Sequence, residues 1–281
     1  MDIFQAIILG LVQGLTEFLP VSSSGHLIIF QELFGLNEPG MTFEVALHIG
    51  TLAPVFIIYW DDIWGLIKNP FQKLTLLLVA ATIPAVVIVL LFGDFVRSLF
   101  ESTAYLPAAF FITGVLLIYA DKVSSTTSAA ERRGRGRRAG RREGGRTERD
   151  MGLIDALIIG CMQGVAIAPG ISRSGAVITG ALSRRLNRES AARFAFLMSI
   201  PAILGGAVLE VVDIVTGSAP AESFDLVPMG IGVVVAAVSG YLAIKFMLRL
   251  IKACRLRYFS YYVFALGTFI FIDQQFFNYF F

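Results

Sequence analysis

Apolar residues occupy this chain in long blocks, with the polar residues gathered between them. Six blocks read as membrane spans: Phe43 to Trp60, Leu74 to Phe92, Ala104 to Ala120, Ala191 to Val212, Val227 to Phe246 and Tyr258 to Phe276. Each approaches the roughly 20 residues that a helix needs to cross hydrocarbon. A seventh apolar segment, Met151 to Leu182, is too long for one span and is interrupted by the turn APGISRSG. The amino-terminal segment is interrupted in the same way, by PVSSSG.

The charges between the blocks orient them. Residues Asp121 to Asp150 form a polar, Gly-rich linker carrying Arg132, Arg133, Arg135, Arg137, Arg138, Arg141, Arg142, Arg146 and Arg149. The positive-inside rule makes that linker cytoplasmic. Arg184, Arg185 and Arg188 put a second basic flank after Met151 to Leu182, so this segment is expected to enter and leave on the cytoplasmic side as a re-entrant helix, loop and helix. Alternation from that anchor puts Lys68, Lys73, Arg249, Lys252, Arg255 and Arg257 inside and the acidic TGSAPAESFD outside. Both termini then lie outside. The expected fold is an all-α integral membrane protein with an inverted-topology repeat, each half one re-entrant helix-loop-helix plus three transmembrane helices. Its first repeat is 1–120, the Arg-rich loop 121–150 and the second repeat 151–281, all in a single membrane domain.

Composition agrees. Of 281 residues, 56% are hydrophobic and 16% charged, and the mean hydropathy is +0.74, which excludes an ordinary water-soluble domain. The amino terminus lacks the basic start and the cleavage site of a signal peptide and is kept in the mature fold. Cys161 and Cys254 have no metal-type spacing and are read as small core residues. The Arg-rich run is read as a solvated topogenic linker, so no nucleic acid is expected as a partner.

The two broken segments are copies of one another. ILGLVQGLTEFLPVSSSGH (Ile8 to His26) recurs as IIGCMQGVAIAPGISRSGA (Ile158 to Ala176) at a constant offset of 150. Gly10, Gln13, Gly14, Ser22, Ser24 and Gly25 fall on Gly160, Gln163, Gly164, Ser172, Ser174 and Gly175. The reactive positions differ: Glu17 faces Ile167, Ser23 faces Arg173 and His26 faces Ala176. Irregular backbone within a membrane survives only where protein buries it or a wet cavity lines it. Two such loops entering from opposite faces are therefore expected to meet and form one polar site.

Residue chemistry points to an anion there. Gln13 and Glu17 share one helix face a turn apart and suit a divalent cation. An intramembrane Glu is costly and by default functional, the structural alternative being a cap or an ion pair. The amides and hydroxyls of Ser22, Ser23, Ser24 and Gly25, and those of Gly170 to Gly175, lie at new helix starts, which attract phosphate. One of the three serines is expected to be an N-cap. The Arg173 guanidinium suits phosphate oxygens, with a permanent salt bridge to Glu17 as its structural alternative. His26 suits proton transfer or nucleophilic attack. His48 is read as a packing or hydrogen-bonding residue.

QGLTEFLPVSSSGH (Gln13 to His26) and PGISRSGAVIT (Pro169 to Thr179) together resemble the undecaprenyl-diphosphate phosphatase family of bacterial membranes, the bacitracin-resistance type. TFEVALHIGTLAPV (Thr42 to Val55) extends that resemblance over essentially the whole chain. It implies a cell (inner) membrane enzyme that removes one phosphate from undecaprenyl diphosphate, with a divalent cation, Mg²⁺ or Ca²⁺, and a site on the extracytoplasmic side. Carried over, Glu17 and Gln13 form the acidic motif, Ser23 and His26 supply the catalytic hydroxyl and imidazole, and Arg173 binds phosphate. Ser22, Ser24, Gly25, Ser172, Ser174 and Thr179 support it. Gln13 departs from the Glu of many relatives and weakens that end of the cation site. Three attackers stay open: Ser23, His26 or activated water. A lipid-phosphate transporter or flippase would use the same anion site without cleavage. Membrane lipids are the remaining expected partners, and the chain is compatible with a homodimer.

Overall fold

The computed structural model describes residues 1–36, 41–100, 102–134, 146–216, 225–253, 256–277 and 279–281. Among them, eleven α-helices follow one another: α1 (Ile3–Phe18), α2 (Ser23–Leu33), α3 (Met41–Ile58), α4 (Trp60–Lys68), α5 (Lys73–Phe100), α6 (Leu106–Gly134), α7 (Leu153–Val165), α8 (Arg173–Ser183), α9 (Arg188–Val215), α10 (Leu226–Ala253) and α11 (Arg257–Ile272). Each of the six expected spans falls on its own helix, namely α3, α5, α6, α9, α10 and α11. Four of these, α5, α6, α9 and α10, are individually long and apolar enough to cross a bilayer. The protein is a multi-pass membrane protein.

Three elements differ from the sequence reading. The α3 span is followed by α4, turned by 89° against it. Trp60 and Trp64 stack there at 5.8 Å and Lys68 lies 5.1 Å from the Trp64 ring, an aromatic and cationic composition suited to a membrane interface. The expected polar linker is helical at its start, because α6 runs on to Gly134. Its Ala129-Ala130-Glu131-Arg132-Arg133 are strong helix formers. The linker's far end is folded onto the body: Arg146 bridges to Leu186 and donates to Arg184 O and Asp155 Oδ2 at 2.8 and 2.6 Å. Arg135, Arg137, Arg138, Arg141 and Arg142 lie outside the described residues, as do most of the acidic TGSAPAESFD and Cys254. Cys161, expected in the core, is a free and exposed thiol on α7.

The exterior is apolar. On α5, Leu76, Val79, Ile83, Leu90 and Leu91 are all more than half exposed, as fits a helix whose solvent is lipid rather than water. Without a hydrophobic drive between helices in lipid, close backbone approach must supply packing. Helix α1 lies on α10 and α7 lies on α5. A Cβ on Gly10 would collide with the Gly232 carbonyl, and one on Gly160 with that of Ala81. The first helix of each half thus packs on the second long helix of the other half, while α6 and α11, the third of each, pack together.

Candidate active site

Both broken segments end one helix and start another, and the second helix opens in the same way in each. Helix α1 ends at Phe18 with Leu19 extended, and α2 opens after Ser22, whose Oγ accepts the Gly25 N–H at 3.4 Å. Helix α8 opens after Ser172, whose Oγ accepts the Gly175 N–H at 3.1 Å. The expected N-cap serine is therefore Ser22, and Ser172 is its counterpart. Ser22 holds φ at 71°, a left-handed conformation costly for a residue with a Cβ. That turn leaves the Ser22 carbonyl in the His26 ring's reach.

The two loops touch. Ser174 Oγ donates to Leu19 O at 3.0 Å, and Thr113 of α6 clasps the second loop by donating to Gly170 O at 3.1 Å and accepting the Ser172 N–H at 3.0 Å. Gly170 needs its φ of +86°, and a Cβ on Gly25 would lie 2.9 Å from Gly170 Cα. The loops meet this closely because Gly25 lacks a side chain, while the bare Gly170 fits its left-handed backbone against Ala109 of α6.

At the junction, the first residues of α2 and α8 converge on one carboxylate. Ser23 Oγ donates to Glu17 Oε2 at 2.6 Å, and Arg173 Nη2 donates to Glu17 Oε1. Gln13, one turn earlier on α1, donates its Nε2 to Oε2 at 3.0 Å, as the four-residue spacing requires. His48 Nε2 of α3 lies 3.5 Å from the same oxygen. The Glu17 side chain is 1% exposed, whereas those of Arg173 and His48 are 23% and 24% exposed. The carboxylate is thus enclosed, while the guanidinium and the imidazole beside it are each partly exposed.

The remaining expected residues divide into supports and absentees. Ser24 Oγ lies 3.4 Å from Ser22 Oγ, and Ser174 Oγ 3.2 Å from Ser172 Oγ, the same pair in both loops. Ser172 and Ser174 hold loop backbone. His26 does not join the carboxylate: its Nδ1 bonds Ser22 O at 2.6 Å and its Nε2 bonds Tyr262 Oη of α11 at 2.8 Å, with the two rings stacked at 5.7 Å. Thr179 is also elsewhere. Its hydroxyl donates to Gly175 O at 2.6 Å within α8 and is buried, the usual back-bond of a helical threonine.

The likeness of this chain to known proteins runs over nearly its whole length. The family described as bacitracin resistance protein BacA matches residues 6–269. The chain belongs to this family. An undecaprenyl-diphosphatase of Carboxydothermus hydrogenoformans is 47% identical over 274 residues, 98% of each chain. Undecaprenyl-diphosphatase 3 of Bacillus cereus is 44% identical over 274 residues, again 98% of each. An undecaprenyl-diphosphatase of Halothermothrix orenii is 40% identical over 274 residues, 97% of this chain and 98% of its own. The family match spans both broken segments, α3 and all but the last residues of α11, so every side chain described above lies inside it.

Two residues at the site escaped the sequence reading. His48 carried a signal, as a second titratable group inside an apolar span, but nothing in one dimension placed it against Glu17. Tyr262 carried none, since it lies within an expected apolar span, Tyr258 to Phe276, and in neither broken segment.

Proposed function

We infer that this protein is an undecaprenyl-diphosphatase of the bacterial membrane, hydrolysing undecaprenyl diphosphate to undecaprenyl phosphate and inorganic phosphate. That reaction recycles the lipid carrier of cell-wall synthesis and underlies bacitracin resistance. The observation that carries the residue assignment is the convergence of Ser23 and Arg173 on opposite oxygens of Glu17. A hydroxyl, an acceptor for its proton and a guanidinium for the phosphate are thereby held within one hydrogen-bond shell. The relatives named above are named for hydrolysis, and nothing favours the carrier reading.

In this mechanism Arg173 and the amides at the starts of α2 and α8 hold the diphosphate, neutralising charge as phosphoryl transfer chiefly demands. Ser23 Oγ attacks the terminal phosphorus and its proton passes to Glu17 Oε2, 2.6 Å away. The P–O bond to undecaprenyl phosphate breaks, and water then cleaves the phosphoserine, regenerating Ser23. His26 is a positioning residue, because both ring nitrogens are engaged and its Nδ1 anchors the strained Ser22 carbonyl. Ser22, Ser24, Gly25, Ser172 and Ser174 shape the cradle.

A divalent cation, Mg²⁺ with Ca²⁺ as the alternative, belongs to the same proposal. Gln13 Oε1 is a buried acceptor without a partner, one turn from the Glu17 carboxylate, so an oxygen donor pair fits such an ion. Among the described residues no three His, Cys, Asp or Glu side chains converge, so substrate oxygens would complete the shell, as is usual for Mg²⁺. Bound there, the ion would neutralise diphosphate charge.

The inverted repeat and its sidedness are part of this reading. Exchange of partners between halves, α1 with α10 and α7 with α5, is what an inverted duplication produces. The inner membrane and a site on the extracytoplasmic side are carried over from the family resemblance, and extracytoplasmic termini are read from the Arg-rich 121–150 segment and the positive-inside rule. The repeat boundaries at 1–120 and 151–281 stand as proposed. The reading holds equally for a monomer or a homodimer, because one chain supplies every residue of the site.

The test is release of inorganic phosphate from undecaprenyl diphosphate by the detergent-purified chain. Release is expected to collapse in Arg173→Ala and Glu17→Ala. If both variants release phosphate at the parent rate, the site assignment is wrong.

A further inference from the structure

We propose that His48 is a ligand of the divalent cation, completing with Glu17 and Gln13 a three-residue site that admits imidazole-tolerant ions such as Mn²⁺. This inference rests on the cation reading above and adds to it a residue on a second helix, α3, and a preference among ions.

Tautomer geometry carries the argument. His48 Nδ1 lies 2.8 Å from the Glu44 carbonyl oxygen, which only accepts, so Nδ1 bears the proton and Nε2 of the neutral ring presents a lone pair. That lone pair lies 3.5 Å from Glu17 Oε2. Two acceptors therefore face each other inside the protein, with no hydrogen bond between them. A proton bridges them poorly: a charge-assisted N–H···O bond has a length of about 2.7–2.9 Å. An ion bridges them well. Two ligands about 2.1 Å from one metal and 90–110° apart are separated by about 3.0–3.4 Å.

Two further features match a metal-binding histidine. Its other nitrogen donates to a backbone carbonyl, the usual outer-shell arrangement, which fixes the tautomer and the ring orientation. Gln13 Nε2 lies 3.0 Å from the same carboxylate oxygen while Gln13 Oε1 has no partner. Turning that amide over exchanges the two atoms, setting Oε1 at ligand-to-ligand spacing from Oε2 and satisfying the orphaned oxygen with the ion. Arg173 stays on Oε1, the other oxygen. The site then offers one carboxylate oxygen, one amide oxygen and one imidazole nitrogen, with room for phosphate oxygens. Imidazole suits first-row transition ions rather than the hard ions Mg²⁺ and Ca²⁺. Mn²⁺, which accepts the oxygen donors of the site and tolerates imidazole, is the probe that reports on both. The neutral ring adds a donor where Gln13 has no charge to give.

Pulsed EPR on the purified full-length chain with Mn²⁺ alone tests this, because the sequence contains only two histidines. Imidazole nitrogen coupling to bound Mn²⁺ is expected in the parent and in His26→Ala, and is expected to vanish in His48→Gln. Mn²⁺ affinity should fall about tenfold or more in His48→Gln, with a smaller change for Mg²⁺. Bound Mn²⁺ that is lost in Glu17→Gln but shows no His48-dependent nitrogen coupling would overturn the inference and leave the cation reading standing. Mn²⁺ binding that is absent, or indifferent to Glu17, would overturn both. Size-exclusion elution and circular dichroism matching the parent establish that each variant is folded.

Discussion

The Glu17–Arg173 pair offers a direct separation of structure from chemistry. Glu17 is almost fully buried and Arg173 three-quarters so, so removing either partner alone leaves a largely buried charge without the counterion it holds here. The cost of breaking a buried pair from one side is about 3–5 kcal/mol. Glu17→Gln and Arg173→Met should therefore each lower thermal stability in detergent by several degrees, at roughly 2–4 °C per kcal/mol for a large domain. The double variant Glu17→Gln/Arg173→Met removes both charges and should regain most of that loss. Activity should not follow. An arginine on a transferring phosphoryl group contributes about 10³–10⁵ in rate, or roughly 4–7 kcal/mol at about 1.4 kcal/mol per tenfold, and the double variant has neither this cation nor the acceptor for the Ser23 proton. The assay is a four-member cycle of melting temperature alongside phosphate release from undecaprenyl diphosphate. A double variant with parent-like stability and activity within tenfold of the parent would show that the pair only holds the loops together, and the mechanism would fall.

Three further outcomes follow from single contacts. Tyr262→Phe deletes the hydroxyl on His26 Nε2; with a net value of about 0.5–1.5 kcal/mol for such a bond, phosphate release should fall up to about tenfold, and a larger loss in His26→Ala would place the imidazole upstream of the tyrosine. Gly170→Ala forces a Cβ onto a φ of +86° with Ala109 Cβ only 2.7 Å away, so about 1–3 kcal/mol of overpacking should spread the loops, lowering both melting temperature and turnover. Thr179→Val removes a hydroxyl that serves only helix and neighbouring backbone carbonyls, so turnover should hold within about twofold while stability falls by about 1 kcal/mol; a hundredfold loss of turnover would return Thr179 to the phosphate cradle.

What the sequence determined by itself is unevenly spread. Six apolar helices, two broken segments, the 150-residue offset and an N-cap among the three serines were legible, because hydrophobic length and helix-start chemistry act over a few residues and leave local marks. The offset even set Ser23 opposite Arg173. It could not say that both would grip one carboxylate, since that depends on Gly25 letting its loop touch the Gly170 backbone across a separation of 145 residues. The turn of α4 and the extension of α6 were missed for a milder reason, as helix boundaries at a membrane edge depend on where the chain must go next.

The division of roles at the site belongs to the tertiary structure. His26 adjoins the SSSG turn in sequence, yet a strained Ser22 carbonyl and Tyr262 of α11, 236 residues away, turn its ring from the carboxylate. His48, 31 residues beyond Glu17 and unremarkable in an apolar span, comes to face it instead. Titratable chemistry is written in the residue types, and so the sequence announced an anion site. Which imidazole meets which carboxylate is set by packing between helices distant along the chain, and no local pattern carries that.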